Sequence, residues 1–568
     1  MKFSDLSKYV DRLEKTSSRL KITEILSDVF KKSDINEIDR VTYLLLGRLK
    51  PRYDELVFNV AEKMMIQVIS DAYGVDKEKV HKKYKQLGDL GDTAEHYAQK
   101  DAKKSDMSVS EVYERLVKVA EDEGEGSVER KVKGLSKLMT DLDSLSNRFV
   151  ARIPVGKLRL GFSDKTILDA LSWMETGDKS RSSQLEKAFF IVPDVGQITK
   201  SVKRNGISKT VEIIEPVVGV PLLPMLAARL KSPAEMMEKM KEVSVEPKYD
   251  GLRIQIHYKK GKFVKTYTRN LNETSWMFPE LVDIGKQLVC DEVVLDVEAI
   301  GVDEKTKTLA NFQQTMTRRR KHDISETLKN TGIRFYVFDI LIKDGISLIN
   351  KTYLERRQEL AKTVKKGDLL QLVNYTITKD ENIISSLMKK ELSEGLEGVI
   401  VKRVDSKYVA GRTGWRWVKM KEPEEQAGKL ADTIDCVVMG YSRGRGKRAD
   451  FGIGHFLAGL LDGEKIKTIT KVGTGLTDDQ FRELNKRLKK IKSKEKPKRY
   501  DVHKDLVPDF WVEPELVVEL AADEITKSPN HTAGYALRFP RLVKFRDDKE
   551  ADQATTVTEI IQLIKLQK

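Results

Sequence analysis

The 568-residue sequence has only two cysteines, Cys290 and Cys436, far apart in the chain. Disulfide frameworks and cysteine zinc modules need cysteines in sets, so both are excluded. No apolar run approaches the ~20 residues of a membrane-spanning helix. The opening stretch MKFSDLSKYVDRLEK has no signal-like apolar region, so a soluble intracellular chain is expected. No internal repeat or long low-complexity segment occurs, and proline is scarce before residue 210. Charge, by contrast, is abundant. Charged residues make up 34% of the chain, the net charge is +15 and the pI is near 9.2. Such an excess of cations favours an anionic partner, with nucleic acid ahead of a membrane surface. The charged fraction exceeds the usual ~25%, which leans toward a heat-adapted source. At one domain per ~150 residues, the length implies three or four domains.

The first 210 or so residues read as helical. Leu56, Val57, Val60, Ala61, Met64, Met65, Val68 and Ile69 fall at helical spacing and predict one buried stripe. Ser108 with Glu111 predicts a capping box opening a helix through Val112, Leu116 and Val119. EDEGEGS at 121–127 reads as a polar hinge, after which Leu135, Leu138, Met139, Leu142 and Leu145 resume the period. In RFVARIPVGKLRLGF, Arg148, Arg152, Lys157 and Arg159 stand among Pro154, Gly156 and Gly161. Glycines let backbone amides approach a phosphate and the cations neutralise it, so a DNA-backbone contact is expected here. Ser163 reads as the cap of the next helix.

Prolines then gather at Pro216, Pro221, Pro224 and Pro233, and the pattern turns to strands. Residues 333–342, IRFYVFDILI, predict a buried strand, as do 295–300 and 399–401, with a helix over 353–363. A polar linker, EPEEQAGKLADT, begins at residue 422. Short strands over 434–441, 455–461, 465–472 and 514–521 follow, with one helix over 478–492. That spacing suggests a small barrel, of which the oligonucleotide-binding barrel is one kind. The loop SRGRGKR at 442–448 reads either as a flexible exposed loop or as a phosphate clamp. The expected architecture is multidomain α+β: helical over 1–212, mixed α and β over 213–421, and a barrel over 422–568.

The middle of the chain carries the most telling stretch, VSVEPKYDGLRIQIHY at 243–258. Leu252, Ile254, Ile256 and Tyr258 alternate with Arg253, Gln255 and His257, predicting a strand with one packed and one free polar face. KKGK at 259–262 reads as a hairpin turn. Lys248 sits in the loop before that strand, flanked by Glu246 and Asp250, an odd arrangement to build for stability alone. Its amine is a nucleophile only when neutral, which neighbours or burial must favour. Other clusters accompany it in order: Thr268 and Arg269; Asp296 and Glu298 on one strand face; Phe338 and Asp339; Glu397, Gly398 and Lys402; Lys419 and Lys421; and RFPRLVKFRDDK near the end. A lysine nucleophile, separated acids able to hold a divalent metal, and clustered cations suit phosphoryl-type transfer, which depends on positioning and charge neutralisation.

KYDG, TRN, LDVEAI, FYVFDIL, EGVIVKR and WVKMK, in that order, resemble six motifs of the covalent nucleotidyltransferase superfamily, and specifically of ATP-dependent DNA ligases. RFPRLVKFRDDK resembles the closing motif of the barrel domain. KLRLGFSDKTILDAL and GVPLLPMLA resemble the helical DNA-binding domain and its junction in archaeal and eukaryotic ligases. KxDG alone is weak; six motifs in order are highly specific.

The resemblance implies that Lys248 takes AMP from ATP and that Glu246 faces the adenine amino group. Arg253 and Arg269 would hold ribose and phosphate, and Phe338 would stack on the purine. Glu298 and Glu397 would contact nucleotide or magnesium, with manganese the alternative metal, and Lys419 and Lys421 would neutralise phosphate. Arg412, chosen over Arg416, would stand where the family has an arginine before its last core motif. Arg546, Asp548 and Lys549 would close over the triphosphate. The implied partner is nicked duplex DNA, in replication, repair and recombination. The family also suggests a sliding clamp, although no docking motif is discernible. A monomeric, cytoplasmic enzyme of a prokaryote, archaeal in type, is implied.

An RNA ligase or capping guanylyltransferase shares the core but not the helical region or RFPR. An NAD-dependent ligase usually carries a four-cysteine zinc module, which two cysteines cannot form. A binding scaffold with a dead site is countered by the occupied charged positions.

Overall fold

The computed structural model describes the chain except residues 17, 55, 100–105, 159, 231, 304–330, 413, 422–432, 445–450 and 567–568; Arg412 and Lys421 are described in backbone only. Two compact units are present, Met1–Lys421 and Glu422–Lys568.

The first unit begins with helices running from Phe3–Glu14 to Val195–Ile213. Their apolar stripes share one core that includes Phe30, Val68, Leu116, Leu138, Phe149, Leu171 and Ile198. Ser108 and Glu111 form the expected capping box. The polar hinge separates the helix ending at Glu121 from the one beginning at Ser127, and turns on Gly124 and Gly126 at φ 84° and 73°. Two local expectations need correction. The helix at the predicted stripe starts only at Glu62, and Val57 is 48% exposed, because residues 56–61 run non-helically into it. Ser163 holds the position before the helix Asp164–Thr176, but its side chain makes no capping bond. There Asp164 instead pairs with Arg48 and Arg52.

Two sheets follow. The five-stranded sheet runs in the order Thr376–Thr378, Val243–Pro247, Gly398–Arg403, Trp417–Lys421, Ala228–Arg229. Its back carries Val245, Val401 and Val418, one cross-strand row, packed with Met236, Met240, Ile384 and Met388 from the helices Pro233–Met240 and Glu381–Ser393. The six-stranded sheet is built on Phe263–Thr268, Leu252–Lys259, Glu292–Asp303 and Thr331–Lys343, mutually antiparallel in that order. One face packs Ile254, Ile256, Leu295, Val297 and Phe335 against Leu281, Ile284 and Leu360. The polar face of Leu252–Lys259, expected to be free, is buried: Gln255 is 4% exposed and His257 fully covered. Residues 219–225 of the chain lie over it and bond to its side chains. Strand alternation reports two faces; it cannot report that main chain covers the second.

The second unit is strand-rich. Ile434–Ser442 pairs with His455–Asp462, Phe510–Val512 and Val517–Ala521, and His455–Asp462 continues to Lys465–Val472. The helix Asp478–Lys490, opened by a Thr477–Gln480 capping box, packs Leu484 and Leu488 against Phe456, Ile469 and Leu520. Only Ser442, Arg443 and Gly444 of the SRGRGKR loop lie within the described residues.

Candidate active site

Lys248 follows directly on the strand Val243–Pro247 and is fastened to the neighbouring strand through main chain. Its N–H donates to the Gly398 carbonyl at 2.9 Å, and its carbonyl accepts the Glu397 N–H at 3.1 Å. The side chains pair across this link, Lys248 Nζ with Glu397 Oε2, 18% and 25% exposed. The chain then crosses from one sheet to the other through Tyr249, Asp250 and Gly251. Tyr249 stacks on Tyr336 at 4.2 Å. Gly251 passes so near the next strand that a Cβ there would lie 2.6 Å from the Ala299 carbonyl oxygen and 3.0 Å from Glu298 Cγ. Only glycine fits that approach.

On the five-stranded sheet, register sets the front face. Glu246, Ile400 and Lys419 form one row across three strands, and Ser244, Lys402 and Trp417 the next. Glu246 is 3% exposed; it accepts the Tyr353 hydroxyl and forms an ion pair with Lys402 at 2.7 Å. The Lys402 ammonium lies 4.3 Å from the Trp417 ring centre and 4.6 Å from that of Phe338, and burial lowers its proton affinity. Aromatic faces and one carboxylate therefore share its charge.

On the six-stranded sheet the expected acid pair divides its labour. Asp296, fully buried, accepts Arg253 Nε and Nη2 at 2.9 and 2.7 Å and the Tyr408 hydroxyl at 3.0 Å. Glu298, directly opposite Arg253 in register, is pushed up to about 8. Burial raises it; the nearby charges of Lys248 and Arg253 pull the other way, and Asp296 and Glu397 add to the rise. Asp339 is bonded bidentately to Arg356 at 2.8 and 2.9 Å, both side chains fully buried. Arg253 is thus bound to protein acid and to the Met225 carbonyl, with its guanidinium 5.3 Å from the half-buried Phe338 ring.

Of the remaining expected residues, Arg269 is exposed in the turn after Phe263–Thr268. Lys421 pairs with Gly398 and Arg412 with Leu226 in backbone register; their side chains lie outside the described residues. Arg148 and Arg152, expected at the DNA backbone, are paired with protein acids in this structure. Arg148 pairs with Asp11, Glu14, Asp92 and Glu95, and Arg152, 7% exposed, with Glu14, Asp89 and Asp92 at 2.8 to 3.0 Å. Positive charge was legible in the sequence; its helix-borne partners, 50 or more residues upstream, were not. Arg152→Ala removes the cation paired with Asp89 and leaves Glu14 and Asp92 to share Arg148. A loss of about 3 kcal/mol is expected in chemical denaturation of the full chain. Lys157 is half exposed beside Glu62 at 3.2 Å, and Arg159 lies outside the described residues. In the second unit Arg546 pairs with Asp435, Glu519 and Asp548 at 3.0, 3.4 and 2.7 Å, and Lys549 with Asp435 at 2.7 Å. Tyr353 and Tyr408, which bond to Glu246 and Asp296, gave no sequence signal beyond apolar patterning, whereas Trp417 opens the WVKMK motif.

Two sheets that bring one lysine between a paired and a proton-retaining carboxylate, with Phe338 against the neighbouring Arg253 and Lys402, define a nucleotidyltransferase domain. The comparisons with known proteins narrow the class. Residues 2–172, 224–421 and 449–549 match the models described as DNA ligase N terminus, ATP dependent DNA ligase domain and ATP dependent DNA ligase C terminal region. The chain is 39% identical over its full length to the protein named Probable DNA ligase of Dictyoglomus thermophilum, covering 98% of it. It is 38% identical over its full length to the DNA ligase of Sulfurisphaera tokodaii, again covering 98%. The chain belongs to the ATP-dependent DNA ligase family, whose members work through a lysyl-AMP intermediate. The solved structure titled Pmar-Lig_Pre shares the fold, with a TM-score of 0.53 at 19% identity over 95% of this chain and 99% of that one. Among the described residues no helix is long and apolar enough to cross a membrane.

Proposed function

We propose that Lys248 attacks the α-phosphorus of ATP, releasing pyrophosphate and holding AMP through a phosphoramidate bond. The AMP then passes to the 5′-phosphate at a nick in duplex DNA, and attack by the 3′-hydroxyl seals the strand and frees AMP. The observation that carries this reading is the Lys248–Glu397 pair with Glu298 in electrostatic reach. Glu397 receives the proton that Nζ must lose before attack. Glu246, kept as an acceptor by Lys402 and Tyr353, takes the adenine amino group, and Phe338 takes its face. Arg253 braces that ring from behind, and Arg269, Arg412, Lys419 and Lys421 serve ribose and phosphate. Arg546, Asp548 and Lys549 exchange their present partners for the triphosphate when the oligonucleotide-binding barrel closes.

Glu298 and Glu397 suit magnesium or manganese: two hard oxygen donors, one of them with a proton affinity that a cation would relieve. The bound cation supplies charge neutralisation on the polyphosphate and favours the neutral amine. Lys157 and Arg159 are the DNA-backbone contacts retained from the basic turn. A cytoplasmic monomer acting on nicked duplex, with a sliding clamp as protein partner, completes the reading.

The test is incubation with α-labelled ATP, GTP or NAD and magnesium, followed by nicked DNA or RNA. Label is expected on the protein from ATP alone and to move to nicked DNA. Label from GTP, or transfer to RNA only, overturns the reading.

A further inference from the structure

The segment joining the helices to the sheets, residues 214–225, is bonded on both sides. Toward the helices, the Leu223 N–H donates to the Phe190 carbonyl at 2.9 Å, and Ile191 packs on the cluster holding Leu222 and Met225. Toward the sheet, three same-face residues of Leu252–Lys259 each take one residue of this connection. His257 Nδ1 accepts the Gly219 N–H at 3.0 Å. Gln255 takes both main-chain groups of Leu222, its oxygen accepting the N–H at 3.0 Å and its amide donating to the carbonyl at 2.6 Å. Arg253 donates to the Met225 carbonyl at 2.8 Å. The Tyr267 hydroxyl donates to the Gly219 carbonyl at 2.7 Å, closing the far end.

The strand advances two residues per rung and the connection three, so the match holds in one register only. Gly219 fixes that register. Its φ is +96°, and a Cβ there would meet the Phe263 ring at 3.1 Å. Burial pushes the His257 imidazole down to about 3, so the ring is neutral: Nδ1 accepts, and Nε2–H faces Gln255 Oε1 at 3.4 Å. None of the proposed chemistry uses Gln255 or His257, and buried polar side chains are costly unless fully paired.

We propose that Gln255 and His257 are positioning residues for nick sealing, locking the connection in register and so holding the helical region at a set place beside the nucleotide pocket. Arg253, the third rung, lies against Phe338, so the lock ends at that pocket. The inference rests on the ligase reading and predicts a split. AMP transfer to Lys248 uses the two sheets and the closing barrel, and makes no demand on the helical region. The step on DNA needs a duplex held by both parts, and small misplacement of reacting ends costs a large share of the rate.

Full-length wild type, Gln255→Leu, His257→Phe and His257→Asn are compared in two assays. One reads label on the protein from ATP and magnesium, which also reports folding. The other reads single-turnover sealing of a pre-adenylylated nicked duplex. Gln255→Leu and His257→Phe are expected to label within about twofold of wild type and to seal about tenfold or more slowly, the span of ordinary coupling between sites. His257→Asn, whose oxygen can accept the Gly219 N–H in place of Nδ1, is expected to recover most of the sealing. The inference is overturned if labelling and sealing fall by the same factor, if sealing is unchanged, or if asparagine does no better than phenylalanine. A wild type that labels but seals no nick overturns the ligase reading instead.

Discussion

Lys248→Ala is expected to abolish covalent labelling from ATP, with a loss on the order of 10^4-fold or more, as for removal of any nucleophile. Lys248 is held by both of its main-chain groups and by its pair with Glu397. Lys419 lies two strands away, in the row of Glu246 and Ile400, with Gly398–Arg403 between. Lys248→Arg keeps the positive charge but offers no neutral nitrogen, so it is expected to fail equally. Sealing of a duplex supplied already adenylylated bypasses the missing bond and should persist at a reduced rate in both variants. Intact protein mass after incubation with ATP reads the bond directly. A mass increase of one AMP on Lys248→Ala would sink the assignment.

Glu298→Gln should act in opposite directions on activity and stability. Nucleotide transfer is expected to fall on the order of 10^2-fold or more, the usual cost of removing a group that serves developing charge. Stability of the metal-free protein follows from the proton. The native carboxyl is raised from an ordinary 4.5 to about 8, so the folded state holds a proton that the unfolded chain releases. Its contribution is fully present below the unfolded value and is lost as pH rises through about 8. Glutamine cannot ionise and escapes that loss. The variant's melting temperature in chelator should therefore match wild type at about pH 4.5 and below, exceed it increasingly up to about pH 8, and hold that excess above it. A difference that does not change with pH would count against a proton-retaining Glu298.

Much of this arrangement was legible because period and spacing are local. The alternation through Leu252–Lys259, the β-branched run of Thr331–Lys343 and the Ser108 capping box each need only neighbouring residues, and each formed. The order of short motifs carried the candidate site, since each motif ends a strand or loop that the sheets bring together. Pairing at a distance was not legible. Arg148 and Arg152 read as free cations because Asp11, Glu14, Asp89 and Asp92 reach them from other helices. Gln255 and His257 read as a solvated face because the segment covering them lies over 30 residues upstream. Spacing alone put Asp296 and Glu298 on one face, and the motif order singled out Glu298; the Arg253 and Tyr408 bonds show what Asp296 does instead.

Lys248 and Glu397 adjoin the ends of neighbouring strands and are riveted by main chain, whereas Glu298 stands on the other sheet across the three-residue crossing at Tyr249–Gly251. A rocking of one sheet against the other would leave the amine and its companion acid at constant separation while widening their gap to the second acid. Any gating of the centre by breathing of the cleft would thus be felt as changed metal affinity before it was felt as a changed nucleophile.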